Sequence, residues 1–89
     1  MKAVVTVVGK DKKGIIARVS NILFENEFNI LDLSQTIMQD MFTMIMLVEY
    51  SESSDSIKKL NEQLNVVADE MELSIRVQRE EIFSSMHRI

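Results

Sequence analysis

Val8-Gly9-Lys10-Asp11-Lys12-Lys13-Gly14-Ile15-Ile16-Ala17 is the stretch whose reading decides the fold. It holds both glycines of an 89-residue chain that has no proline. Glycine tolerates positive φ and lets another group approach the backbone closely. Upstream, Ala3-Val4-Val5-Thr6-Val7-Val8 is β-branched and apolar on both faces, which predicts a central strand covered on both sides. Downstream, Ile15, Val19, Ile22 and Leu23 fall on one face of a helix. The stretch is thus the tight loop of a strand–loop–helix unit. Asp11 is placed to cap the helix, its carboxylate accepting from N–H groups near residues 13 and 14.

Gly-x-x-x-x-Gly between a strand and a helix invites comparison with the phosphate-binding loop of nucleotide hydrolases. That motif continues with Lys and then Ser or Thr. Ile15 and Ile16 stand there instead, which excludes nucleoside triphosphate hydrolysis. Lys10, Lys12 and Lys13 fit a solvated loop tip better than a phosphate cluster.

Beyond the first helix, expected to end near Glu25 or Asn26, residues 29–38 alternate as a second strand. Leu31, Leu33, Gln35 and Ile37 share one face; Asp32, Ser34 and Thr36 share the other, flanked by Ile30 and Met38. One polar face marks an edge strand. Gln39-Asp40 lacks the Asn-Gly or Asp-Gly pair of a two-residue hairpin, so a longer or less regular turn is expected. Residues 41–50 form a third strand, apolar on both sides. Ser51-Glu52-Ser53-Ser54-Asp55 is a polar link rich in N-cap candidates. Ile57, Leu60, Leu64, Val67, Ala68 and Met71 then trace a second helix. Leu73, Ile75 and Val77 alternate with Ser74, Arg76 and Gln78 in a fourth strand. Two apolar central strands, two half-polar edges and right-handed crossovers together predict an α+β, ferredoxin-like βαββαβ fold. Its four-stranded antiparallel sheet has the order 4-1-3-2, with two helices on one face. Residues 79–89 form a short amphipathic tail, in which Ile82, Phe83, Met86 and Ile89 share a helical face and are candidates to cover the other side of the sheet, in the same chain or a partner.

Composition narrows the function. A net charge of −4 argues against nucleic acid as a partner. Without cysteine there are neither disulfides nor thiolate metal sites. His87 is the one histidine, with no clustered ligands and no partner for acid–base work, so neither catalysis nor a metal is expected. No long apolar run suggests a membrane span or a leader, and a cytoplasmic protein is the simple expectation.

Gly9-Lys10-Asp11-Lys12-Lys13-Gly14-Ile15-Ile16-Ala17, followed by Asn29-Ile30, resembles the signature of the ACT domain, and the likeness extends over residues 1–78. ACT domains are small βαββαβ regulatory modules, many of which bind amino acids, and the whole arrangement is similar to the small stand-alone ACT proteins of bacteria. The family usually has glycine where Glu27 stands, so Asn26 is expected to supply the left-handed residue after the first helix. The resemblance implies a ligand site made of Asp11, Gly14, Ile15 and Asn29, with Asp11 and Asn29 contributed by different subunits. Asp11 would accept from a ligand ammonium while helix N–H groups take its carboxylate, and Gly14 would let the ligand approach the backbone. The plain alternatives are a helix cap for Asp11, a turn residue for Asn29 and tight packing for Gly14.

Residues 29–38 also carry the expected assembly contact. They contain neither lysine nor proline, and Asp32 is their one charge. Such an unblunted edge recruits another strand. Leu31, Leu33, Ser34 and Ile37 are therefore the expected interface of a homodimer or higher oligomer; the rival is a face-to-face dimer through the sheet face opposite the helices, which would leave this edge open. A small-molecule sensor acting without cofactor on an unidentified regulated protein is the function these features point to. A structural or protein–protein adaptor without ligand is the alternative.

Overall fold

The computed structural model describes residues 1–51 and 56–81. The elements follow in the order β1 (Lys2–Lys10), α1 (Ile15–Glu25), β2 (Asn29–Met38), β3 (Met41–Glu49), α2 (Ser56–Met71) and β4 (Leu73–Arg79). They form one antiparallel sheet, β2-β3-β1-β4, with the helices on one side, which is the ferredoxin-like arrangement. Most of the expected link after β3, and the tail positions Ile82, Phe83, Met86 and Ile89, lie outside the described residues. Among the described residues no helix is long and apolar enough to cross a membrane.

The core forms where two periodicities meet. Ala3, Val5 and Val7 of β1 and Phe42, Met44, Met46 and Val48 of β3 turn their period-two faces to the helices and are buried. Ile15, Val19 and Leu23 of α1 and Leu60, Leu64, Val67 and Met71 of α2 close over them. Full burial of a Leu- or Val-sized side chain is worth about 1.5–3 kcal/mol, so this layer carries the stability of the fold. Cover on the second face of β1 is less complete: Val4 is buried, Thr6 and Val8 half-buried.

Two connections and one strand pairing differ from expectation. At the end of α1, Asn26 is the C-cap with φ −97°, and Glu27 takes the left-handed conformation at φ 63°. The Glu27 N–H donates to the Phe24 carbonyl (3.0 Å) and the Phe28 N–H to the Leu23 carbonyl (2.8 Å), the two bonds of a Schellman motif. Phe28 and Leu23, which bracket the motif, are both buried, and their burial drives Glu27 into the strained position. Asn26 instead donates its amide to Gln63 Oε1 of α2 at 2.7 Å. The β2–β3 connection is a two-residue turn rather than a longer one, because Met38 pairs with Met41 and Gln39 accepts φ 58°. Within β2 the pairing with β3 slips between Ile30 and Asp32. One extra residue flips the alternation. Ile30 consequently lies opposite Val48 and packs on the core, not beside Asp32.

Glu27 gives a direct test of the first difference. A left-handed conformation costs a non-glycine residue about 1–2 kcal/mol, offset in part by the greater unfolded-state freedom of glycine. Glu27→Gly should stabilise the protein by about 0.5 kcal/mol, raising its melting temperature by about 2–4 °C. Glu27→Val, β-branched at the same φ, should lower it; calorimetry of both variants checks the sign.

Candidate ligand site at the start of helix α1

The two glycines of the loop serve different ends. Gly9 lies in β1, opposite Phe42 and Leu73. A Cβ there would come within 2.6 Å of Leu73 Cδ2 and 3.3 Å of the Glu72 carbonyl oxygen, so the residue is glycine for sheet packing. Gly14 has φ +86° and nothing within 4 Å of where a Cβ would stand. It is the N-cap of α1, and its carbonyl accepts the first intrahelical bond, from Arg18 N–H at 2.9 Å.

Asp11 is not the cap. The helix begins at Ile15, beyond the turn made by Lys13 and Gly14, so the Asp11 carboxylate lies too early in the chain to reach the first-turn N–H groups. No side chain caps the helix. The N–H groups of the first turn therefore point outward without an intrahelical partner. Asp11 is exposed, and among the described residues its carboxylate makes no hydrogen bond or ion pair. Its backbone N–H donates to the Asp40 carbonyl at 2.7 Å, fixing the loop against the β2–β3 turn. An uncapped helix start next to a free carboxylate offers a negative ligand group N–H donors and a positive one an acceptor. The Ile15 side chain is buried in the core, which leaves its backbone N–H for any such contact.

Lys12 also departs from expectation. It is half-buried, and its Nζ donates to the Met71 carbonyl oxygen at 2.7 Å, at the C-terminus of α2. A cation there meets both an orphan carbonyl and the negative end of the helix dipole. Lys10 and Lys13 remain exposed, as expected of a loop tip. Arg18 and Glu70 add an exposed α1–α2 ion pair at 2.6 Å, worth under about 1 kcal/mol.

Asn29 lies at the far end of the sheet. It is opposite Glu49, whereas Asp11 follows Lys10, which is opposite Met41. Eight residue steps along β3 at about 3.4 Å each separate the two ends by roughly 27 Å. One chain therefore does not bring Asp11 and Asn29 together. Asn29 lines an open groove of about 540 Å³ between the start of β2 and the Ala17, Ser20, Asn21 and Phe24 stripe of α1. Phe24 is 78% exposed on that groove. It lies one position off the buried helical face, a signal present in the sequence. The expected interface residues Leu31, Leu33, Ser34 and Ile37 all lie exposed on β2, an edge of the sheet. Leu33 and Ile37 face the helix side, opposite Met46 and Phe42, but α1 leaves them uncovered.

A ferredoxin-like α+β module with an open helix start beside its first loop is the class these features define. The ACT domain family model matches residues 2–78, and the chain belongs to that family of ligand-sensing regulatory modules. A UPF0237 protein of Clostridium perfringens is 56% identical over 89 residues, all of both chains. A UPF0237 protein of Methanococcus maripaludis is 51% identical over 97% of this chain and 96% of its own. Among solved structures, an ACT domain protein from Streptococcus pneumoniae superposes with a TM-score of 0.80 at 40% identity, covering 93% of each chain.

The Lys12 contact predicts a stability effect. Lys12→Met keeps most of the aliphatic stem and removes the donor to Met71. It should lower stability by about 1 kcal/mol, measured as a reduced urea midpoint with an unchanged slope.

Proposed function

We propose that this chain senses an amino acid or a similar zwitterion at a site shared by two copies paired along β2. The observation that carries the proposal is the open start of α1: Gly14 caps without a side-chain acceptor while the Asp11 carboxylate stands exposed beside it. The first-turn N–H groups take the ligand carboxylate and Asp11 its ammonium. Antiparallel pairing of β2 with its own copy supplies the missing side. It sets the Asn29 end of one strand beside the Met38 end of the other, next to the turn that holds the Asp11 loop. Occupancy and assembly are then coupled, and the coupling is reciprocal. The output is a change in assembly or in binding to a regulated protein. Exposed Phe24, Leu33 and Ile37 favour a second reading, a protein–protein adaptor without ligand.

A thermal-shift panel of the twenty amino acids separates the two. A ligand at a hundred times its dissociation constant adds about 2.7 kcal/mol, a rise of roughly 10 °C or more for a domain of this size. Asp11→Asn should abolish that rise and leave the melting temperature without ligand unchanged, because Asp11 caps nothing. A flat panel favours the adaptor.

The pairing has its own test. The pair closing a two-residue hairpin, here Met38 and Met41, exchanges both N–H···O bonds. By alternation Ser34 bonds inward to β3, and the N–H groups of Leu33, Gln35 and Ile37 point outward from the edge. Gln35→Pro therefore removes an outward donor and spares the β2–β3 ladder. Sedimentation equilibrium of this variant should show the β2-paired dimer lost; an undiminished dimer places the contact elsewhere.

A further inference from the structure

The sheet face turned away from the helices has an uneven surface. Toward the β2–β3 turn Ile45, Met41 and Met38 are 41%, 48% and 71% exposed. Met38 and Met41 are paired neighbours; Ile45 lies two rows further along the same side of β3, beyond the half-buried Thr43. Two charges of this face, Asp32 and Arg76, lie on its opposite edges. Asp32 is on edge strand β2, in the row of Leu47 and Val4. Arg76 is on the opposite edge strand, β4, one row nearer the turn, beside Thr6 and Ile45. Both are exposed. One Asp32 oxygen accepts from the Leu33 N–H at 2.8 Å, which leaves the other free. Arg76 makes no hydrogen bond or ion pair among the described residues. Lys10 beside Met41, and Lys2 beside Glu49, sit at the two ends of the face.

An acid on one edge and a base on the other is a self-complementary layout. A copy turned about a two-fold axis running along the strands lays its β2 over β4 and its β4 over β2. Each Asp32 then lies across from the partner's Arg76, displaced by one row, about 7 Å, along the strands, twice per contact. An axis running across the strands would set like charge on like charge. Stacked sheets lie about 10 Å apart, a gap that an arginine and an aspartate extended toward each other span. We infer that this face packs on a second copy of the chain about an axis along the strands, with Ile45, Met41 and Met38 inside the contact over β1 and β4 of the partner and Asp32 reaching the partner's Arg76 at its flanks. The contact does not use the outward N–H groups of β2. It is thus independent of the β2 pairing proposed above and compatible with it.

Charge reversal in the full chain tests the inference. Asp32→Arg and Arg76→Asp each place like charges across from each other, and each should halve the mass seen by sedimentation equilibrium at a concentration where the unmodified chain is assembled. The double variant restores both pairs and should restore the mass. Single variants of unchanged mass, or a double variant no better assembled than the singles, overturn the inference.

Discussion

Two hydrogen bonds from adjacent residues hold one end of this molecule together. The Asp11 N–H reaches the Asp40 carbonyl in the β2–β3 turn, and Lys12 Nζ reaches the Met71 carbonyl where α2 stops. The β1–α1 loop is thereby bonded to the two other connections at its end of the sheet. The packing of Leu73 over Gly9 closes the same corner, with no room for a side chain between β1 and β4. The open start of α1 is held by these contacts. A loop bonded through its backbone and one lysine keeps the Asp11 carboxylate and the first-turn N–H groups free.

The fold tolerates local strain to keep its connections short. Glu27, Gln39 and Glu72 all take positive φ, one after each helix and one in the hairpin turn. Each costs a non-glycine residue about 1–2 kcal/mol, against a total stability of about 5–15 kcal/mol for a domain. The strain persists because each position is flanked by buried or paired residues. Phe28, stacked on Tyr50 at 4.9 Å, follows Glu27; Leu73 follows Glu72; the Met38–Met41 pair brackets Gln39. Burial over a few residues outweighs a single unfavourable backbone angle.

Asp11 and Asn29 lie at opposite ends of the sheet, so a site using both requires two chains. Such a site couples occupancy to association without a moving part inside the domain. The exposed edge of β2 and the charged, partly apolar outer face are separate surfaces. An assembly built on both has one contact able to sense ligand and one that is indifferent to it.

The sequence by itself determined the elements and their order. Period-two alternation in residues 3–8 and 41–50, and three-and-four spacing in Ile57, Leu60, Leu64, Val67 and Met71, are local patterns that state which face is buried. Two apolar strands and two half-polar ones then leave few sheet orders. The loop glycines also marked the region of the candidate site. What tertiary structure decided was everything that depends on a partner distant in sequence. Gly9 is glycine because of Leu73, and Lys12 is ordered by Met71. Ile30 faces the core because of a slip in pairing with β3, and Glu27 is strained because Phe28 must bury. Asp11 was expected to cap α1 from its spacing alone. The helix start is set instead by the Lys13–Gly14 turn and the burial of Ile15, so the carboxylate is left to solvent. Short-range spacing carries the periodicity of burial, whereas caps, slips and close approaches are fixed only when the chain has closed on itself.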